Sequence, residues 1–343
     1  MPNNPIDHFT VSKDDFRFIG ERLQRPECIL AEKDGTLWSA DARGGVVRID
    51  IDGTQTTITQ SHAADAFSSS NDEARKFVAG TLPNGLAFAD NGDIWISNFG
   101  TDCLERMKRT GETEVILDSV DGEPIGKVNF IARDTQNRIW ITISTMVPEW
   151  PKALCKNVVD GRVLLFEEGK GVRIVADNLH FTNECKLDAR EEYLYVVQTC
   201  GRNVVRYRIR PNGDLSVREV FGPEDHGRFI DGIAFDSYGN LWGTYIMNDG
   251  IFAITPEGER KTIFDDSTPE EVTKIDHAFQ TGEPLDIEML MECGGTVAPW
   301  CASVTFGGAD LKTVYVGSLR GTTIPYCSSP VAGLPMVHWD AAF

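Results

Sequence analysis

Residues 83–100 read PNGLAFADNGDIWISNFG. GLAFA and DIWIS have the apolar run or alternation of short strands. DNGD between them is a hairpin turn, because Asn and Gly accept the positive φ that such turns need. The hairpin leaves Asn84-Gly85 unexplained: a polar amide stands where the chain enters a strand, although a turn is supplied further on.

The same unit recurs. Aligned on an aromatic that follows a turn, six copies occur: ECILAEKDGTLWSA (27–40), NGLAFADNGDIWIS (84–97), NFIARDTQNRIWIT (129–142), NECKLDAREEYLYVV (183–197), DGIAFDSYGNLWGT (231–244) and SVTFGGADLKTVYVG (303–317). The anchors are Trp38, Trp95, Trp140, Tyr195, Trp242 and Tyr315. Five of the copies are followed by a second hairpin, such as GGVVRIDIDG or NVVRYRIRPNGDLS. Six units of four strands, with almost no segment of helical period, are the pattern of an all-β, six-bladed β-propeller with four-stranded antiparallel blades. The last unit has one strand candidate after Tyr315, TTIPYC. The stretch DDFRFIGERL near the start is therefore expected to complete it and close the ring. Trp38, Trp95, Trp140 and Trp242 are assigned to packing between blades.

One domain over 1–343 is expected, with two insertions, 61–83 and 145–161, overhanging one mouth of the central channel. The net charge of −19 argues against nucleic-acid or anionic-membrane partners. Eight scattered cysteines without a CxxC, and an N-terminus without an apolar signal segment, read as a reduced cytoplasmic protein. Composition says nothing of oligomeric state.

The residue eleven or twelve positions ahead of each anchor is Glu27, Asn84, Asn129, Asn183, Asp231 or Ser303. All are polar, although each opens the innermost strand of its blade. A ring of oxygens with two carboxylates suits a hard divalent cation. Turn-forming Asn-Gly and Asp-Gly dipeptides are the competing explanation for single copies.

With these residues the chain resembles the senescence-marker-protein, gluconolactonase and luciferin-regenerating-enzyme family, six-bladed propellers with one divalent metal in the channel, many of them lactonases. The resemblance implies that Glu27, Asn183 and Asp231, opening blades one, four and five, bind the metal. It puts Ca²⁺ first and leaves Zn²⁺, Mn²⁺ or Mg²⁺ open. At the head of blade three the family carries Arg-x-Asn-Asp. Here KVNF places Lys127 and Asn129 in the substrate roles and Phe130 where the Asp would be. Cys28 and Glu184 also depart, standing where the family commonly has Gly.

The expected activity is metal-dependent hydrolysis of a small lactone, sugar-derived or of another hydroxy acid, with Asp231 as general base. Lys127, Asn129, Asn84 and Glu184 are expected to contact the substrate. Phosphotriester hydrolysis at the same metal and a non-catalytic ligand-binding propeller are the alternatives, and the lack of a Gly-x-Ser-x-Gly elbow speaks against a serine hydrolase. His180 and His226 are expected in loops at the mouth, and Trp150, Phe181 and Trp300 as candidates for an apolar pocket lining.

Overall fold

The computed structural model describes residues 4–63, 80–341 and 343. Six four-stranded antiparallel sheets surround a channel. Their innermost strands are Ile29–Ala31, Pro83–Phe88, Val128–Arg133, Thr182–Leu187, Ile230–Phe235 and Cys301–Gly307. Arg17–Ile19 pairs antiparallel with Ile324–Ser328 as the outermost strand of the sixth sheet, so the ring closes through the N-terminal segment as expected.

The anchor aromatics are buried for a reason the repeat carries within it. In three blades an acid six residues earlier accepts the indole N–H: Glu32 from Trp38 (2.7 Å), Asp134 from Trp140 (3.0 Å) and Asp236 from Trp242 (2.9 Å). Burying an indole with its N–H satisfied keeps the whole apolar gain. Anchors then pack edge-on against an inner-strand Phe of the next blade, as Trp38 does on Phe88, Tyr195 on Phe235 and Trp242 on Phe306.

A second repeated bond ties blades together near one mouth. In four blades a hydroxyl at the end of the second strand donates to the neighbouring blade's inner strand: Ser97 to the Asn129 carbonyl (2.6 Å), Ser144 to Thr182 (2.7 Å), Thr199 to Ile230 (2.7 Å) and Thr244 to Ala302 (2.5 Å). The ring is joined between blades six and one by Ser303 donating to the Glu27 carbonyl.

The insertion at 145–161 lies between the second and third strands of blade three and carries a short 3-10 helix, Trp150–Ala153. Most of the expected insertion at 61–83, residues 64–79, lies outside the described residues. A third insertion between blades five and six corrects the expectation of two. It holds helix α1 (Pro269–Gln280) and the short helix α2 (Ile287–Met291). Its signal was local: Thr268 caps α1 in a capping box with Glu271, Pro269 occupies the first turn, and Ile275 and Phe279 are buried. Asp249 holds the end of this insertion by accepting the N–H groups of Gly295, Trp300 and Cys301. The two capping segments also meet, through Leu285 N–H to the Leu154 carbonyl (2.9 Å) and Asn157 to the Gly282 carbonyl (2.9 Å). No helix among the described residues is long and apolar enough to cross a membrane.

Candidate metal and substrate site

In five of the six blades the register of the two innermost strands shifts at the polar residue. The shifts fall between Pro83 and Leu86, Val128 and Phe130, Thr182 and Cys185, Ile230 and Ile233, and Cys301 and Val304. A bulge re-aims side chains. Here it frees Asn84, Asn129, Asn183 and Asp231 from the strand alternation so that all four, with Glu27, line one pocket.

The glycine after Asn84 is not a turn residue. A Cβ on Gly85 would lie 2.9 Å from the Phe130 Cα, and one on Gly232 would lie 2.4 Å from the Ala302 carbonyl oxygen. These glycines let inner strands of adjacent blades approach. Ser303, the sixth head residue, closes the ring and does not line the pocket.

The pocket opens to solvent, with a cavity of about 50 Å³ and about 540 Å³ of empty space when the open mouth is included. Its floor is Arg25, Glu27, Asn84, Asn129, Asn183, Thr199 and Asp231, and its walls include Phe99, Trp150, Phe181, Met247 and Trp300. The three aromatics expected there, Trp150, Phe181 and Trp300, are thus brought together over the floor, from the second and third insertions and from the loop entering blade four.

The floor's hydrogen bonds leave a particular remainder. Asn84 donates to Glu27 Oε1 (3.0 Å) and to the Asn129 carbonyl (3.0 Å), and its Oδ1 accepts from Arg25 Nη2 (2.5 Å). Asn183 donates to Thr199 Oγ1 (3.2 Å), which orients its amide. Among the described residues, Glu27 Oε2, Asn183 Oδ1 and Asp231 Oδ1 are buried without any partner. An unsatisfied buried polar atom costs about 1–3 kcal/mol, and three in one pocket, two of them on carboxylates, require an external partner.

Burial first, with the nearby Glu184 charge, pushes Glu27 up to about 8 against the opposing pull of Arg25. Burial and the charges of Glu27 and Glu184 raise Asp231 well above the usual carboxylate range. Two carboxylates and an amide oxygen, all hard donors, fit a divalent cation of the Ca²⁺ type. Among the described residues no group of three His, Cys, Asp or Glu side chains gathers to hold a metal, so the amide oxygen of Asn183 is needed to complete the set.

Other expected site residues lie elsewhere. Lys127 pairs with Asp102 (2.9 Å) beside Phe99 and does not line the pocket. Glu184 sits one residue deeper, accepting the Ile233 N–H (3.0 Å) and facing Lys186 (3.7 Å), with burial raising it to about 7. His226 is buried against Phe252 with Nδ1 on the Tyr245 hydroxyl (2.8 Å), and desolvation holds its pKa down at about 3. His180 is half-buried and off the pocket, its pKa also lowered by burial.

Arg25 is the site residue that motif reasoning missed. It stands at φ 56°, a backbone state uncommon for a side chain of its size, and its guanidinium is buried in the pocket floor. Its only sequence signal is a basic residue two positions ahead of the first head residue.

A family model described as SMP-30/Gluconolactonase/LRE-like region matches residues 26–275. The chain belongs to this family. No curated protein matches it in sequence. Among solved structures it is similar to a gluconolactonase from Xanthomonas campestris, with 16% identity, a TM-score of 0.65, and 92% of this chain and 89% of that one covered. It is also similar to a luciferin-regenerating enzyme (15%, TM-score 0.66, 94% and 98% covered). A third is a calcium-binding protein, regucalcin, from Agrobacterium tumefaciens (13%, TM-score 0.63, 92% and 95% covered). At these identities the structural likeness speaks for the propeller. The residues of the pocket must carry the argument about chemistry.

Proposed function

We propose that the chain is a metal-dependent lactonase that opens a small cyclic ester in the pocket above Glu27, Asn183 and Asp231. The observation that carries this reading is the set of three buried, unpartnered oxygens, one on each of those residues. Membership of the gluconolactonase-containing family supports it. Glu27, Asn183 and Asp231 are the residues that would hold the cation, which when bound supplies Lewis acidity at an acyl oxygen.

The chain's own groups do the rest. Asp231, a buried carboxylate lining the pocket, is placed to take a proton from water with the oxygen it does not give to the cation, as the water oxygen bonds to the acyl carbon. The ring C–O bond then breaks, and the departing oxygen leaves as a hydroxyl carrying that proton. The net reaction is lactone plus water to hydroxy acid. Asn84 fixes Glu27 by donating to it, and the aromatic walls exclude bulk water, which strengthens every charge interaction on the floor.

The test is hydrolysis of aldonolactones, aliphatic and aromatic lactones and a chromogenic phosphotriester by chelator-stripped protein, with and without Ca²⁺, Zn²⁺, Mn²⁺ or Mg²⁺. Ring opening that disappears on stripping and returns with metal is expected. Full turnover in verified metal-free protein, or turnover of the phosphotriester alone, overturns the proposal.

A further inference from the structure

Among the described residues, the other buried arginines each have a carboxylate. Arg138 is paired with Asp134 (2.6 Å), and Arg202 with Asp276 (2.5 Å) and Asp225. Arg25 differs. Among the described residues its guanidinium bonds only to neutral oxygens, Nη1 to the Pro83 carbonyl (3.1 Å) and Nη2 to Asn84 Oδ1 (2.5 Å), and Nε is buried with no partner. A guanidinium carries five N–H donors. With one bond from each Nη, at least Nε–H and the second hydrogens of the fork remain for something else in the pocket.

Charge bookkeeping on the floor leads to the same point. Glu27 and Asp231 carry two negative charges between them, which a bound divalent cation offsets. Asn84, Asn129, Asn183 and Thr199 are neutral. Among the described residues, Lys127 is paired with Asp102 and Lys186 with Glu184. Arg25 faces the charges of Glu27 and Asp231, and once a cation offsets those two its own positive charge is the one left over, in a place largely closed to water. A buried charge without a counter-charge is unfavourable. The partner that matches a planar guanidinium fork is a carboxylate, which it binds through two parallel N–H bonds.

The walls say what else the ligand carries. Phe99, Phe181, Ile246, Met247 and Leu319 offer no side-chain hydrogen bonds. On the floor, Asn84 is already spent on Glu27, Asn129 and Arg25, and Thr199 on Asn183 and the Ile230 carbonyl. A ring bearing many hydroxyls would bury several of them unpaired, each at about 1–3 kcal/mol.

We propose, resting on the lactonase reading above, that the substrate is a small lactone with an apolar body and one carboxylate besides its ring ester, and that Arg25 selects it by pairing with that carboxylate. The family resemblance puts a substrate-holding cation at blade three. In this chain that position is Lys127, which is engaged by Asp102, and the open cation enters from the segment ahead of blade one.

The test uses phthalide-3-carboxylate, its methyl ester, unsubstituted phthalide and glucono-δ-lactone as substrates of the Ca²⁺-loaded protein. Binding of the corresponding non-hydrolysable lactam acid and its methyl ester is followed by calorimetry. In the wild type the acid is expected to exceed the ester by at least about tenfold in kcat/KM and in affinity. Arg25→Gln should erase that preference, and Arg25→Lys should restore part of it. Equal handling of acid and ester by the wild type, or a preference that survives in Arg25→Gln, overturns the proposal. If Arg25→Gln does not fold, the acid-to-ester ratio of the wild type decides alone. Lactones opened without preference for the acid would sink this inference and leave the lactonase reading standing. An Arg25-dependent preference for the lactam acid with no lactone opened would do the reverse.

Discussion

The channel holds two buried acid clusters one layer apart, and they are built on opposite principles. In the deeper one, Glu184 has an amide donor from Ile233 and a cation in Lys186, which itself lies over the Phe130 ring (4.3 Å). Its charge is answered from within the chain. In the upper one, Glu27, Asn183 and Asp231 each keep an oxygen with no partner, and Arg25 keeps an N–H. Asn183 and Glu184 are neighbours in sequence, yet the bulge between Thr182 and Cys185 sends one to each cluster. Burial alone therefore does not mark a site here; burial combined with unmet bonding capacity does.

The largest effect should come from opposing the two layers by mutation. Asp231→Ala is expected to lower kcat/KM for ring opening by at least about ten-thousandfold, at or beyond the top of the roughly 10²–10⁴-fold range typical of general-base loss, because a metal donor goes with it. Glu184→Gln should stay within about tenfold. Equal losses in a steady-state assay would erase the distinction between the clusters.

Metal binding sharpens the comparison next. Calcium at a hundred times its dissociation constant should stabilise the chelator-treated protein by about 2.7 kcal/mol, or about 4 °C in a melting experiment on a chain of this length. Glu27→Gln and Asp231→Asn should abolish that shift, and Glu184→Gln should keep it. A shift that disappears only in the Glu184 variant would move the metal to the deeper layer.

Asn84→Ala probes the link between floor and ligand. It strips Glu27 Oε1 of its donor and Arg25 of an acceptor. A loss of about 1–3 kcal/mol in urea unfolding is expected, together with weaker calcium stabilisation. Unchanged values would show that Asn84 does not hold Glu27 in place.

The smallest effect is on the pH dependence of stability, away from both clusters. His226 and His338 are buried, and desolvation lowers them to about 3 and about 4. Below the unfolded-state value near 6.5 the unfolded chain takes up protons that the folded one does not. The histidine contribution is therefore complete above about pH 6.5 and is lost as the pH falls toward 4, by up to about 1.4 kcal/mol per unit for each histidine. The raised carboxylates of Glu27, Glu184 and Asp231 tilt total stability the other way over this range, so the histidine part is read as a difference: between pH 7 and 5 the wild type should lose urea stability relative to His226→Gln, and parallel profiles would refute it.

Much of the site was legible because the propeller repeats it. Six hairpins in register place Glu27, Asn84, Asn129, Asn183 and Asp231 around one opening. The helical third insertion was legible only locally, in Ser267-Thr268-Pro269-Glu270-Glu271, and the strand periodicity on either side concealed it. Lys127 and Glu184 were expected in the pocket because they adjoin ring residues in sequence. Their partners, Asp102 and Lys186, hold them out of it.

By itself the sequence determined the number of blades, the strand that closes the ring and the polar residues that head the inner strands, since alternation, turns and anchor aromatics are local and repeat. Only the tertiary structure decided which of those residues reach the pocket, where Asp102 and Lys186 engage two expected contacts and where Arg25 brings a buried guanidinium onto the floor. The physical reason is that a bulge resets the strand's two-residue period and a left-handed φ turns a side chain where no pattern predicts. Whether a buried charge is answered depends on atoms from distant blades.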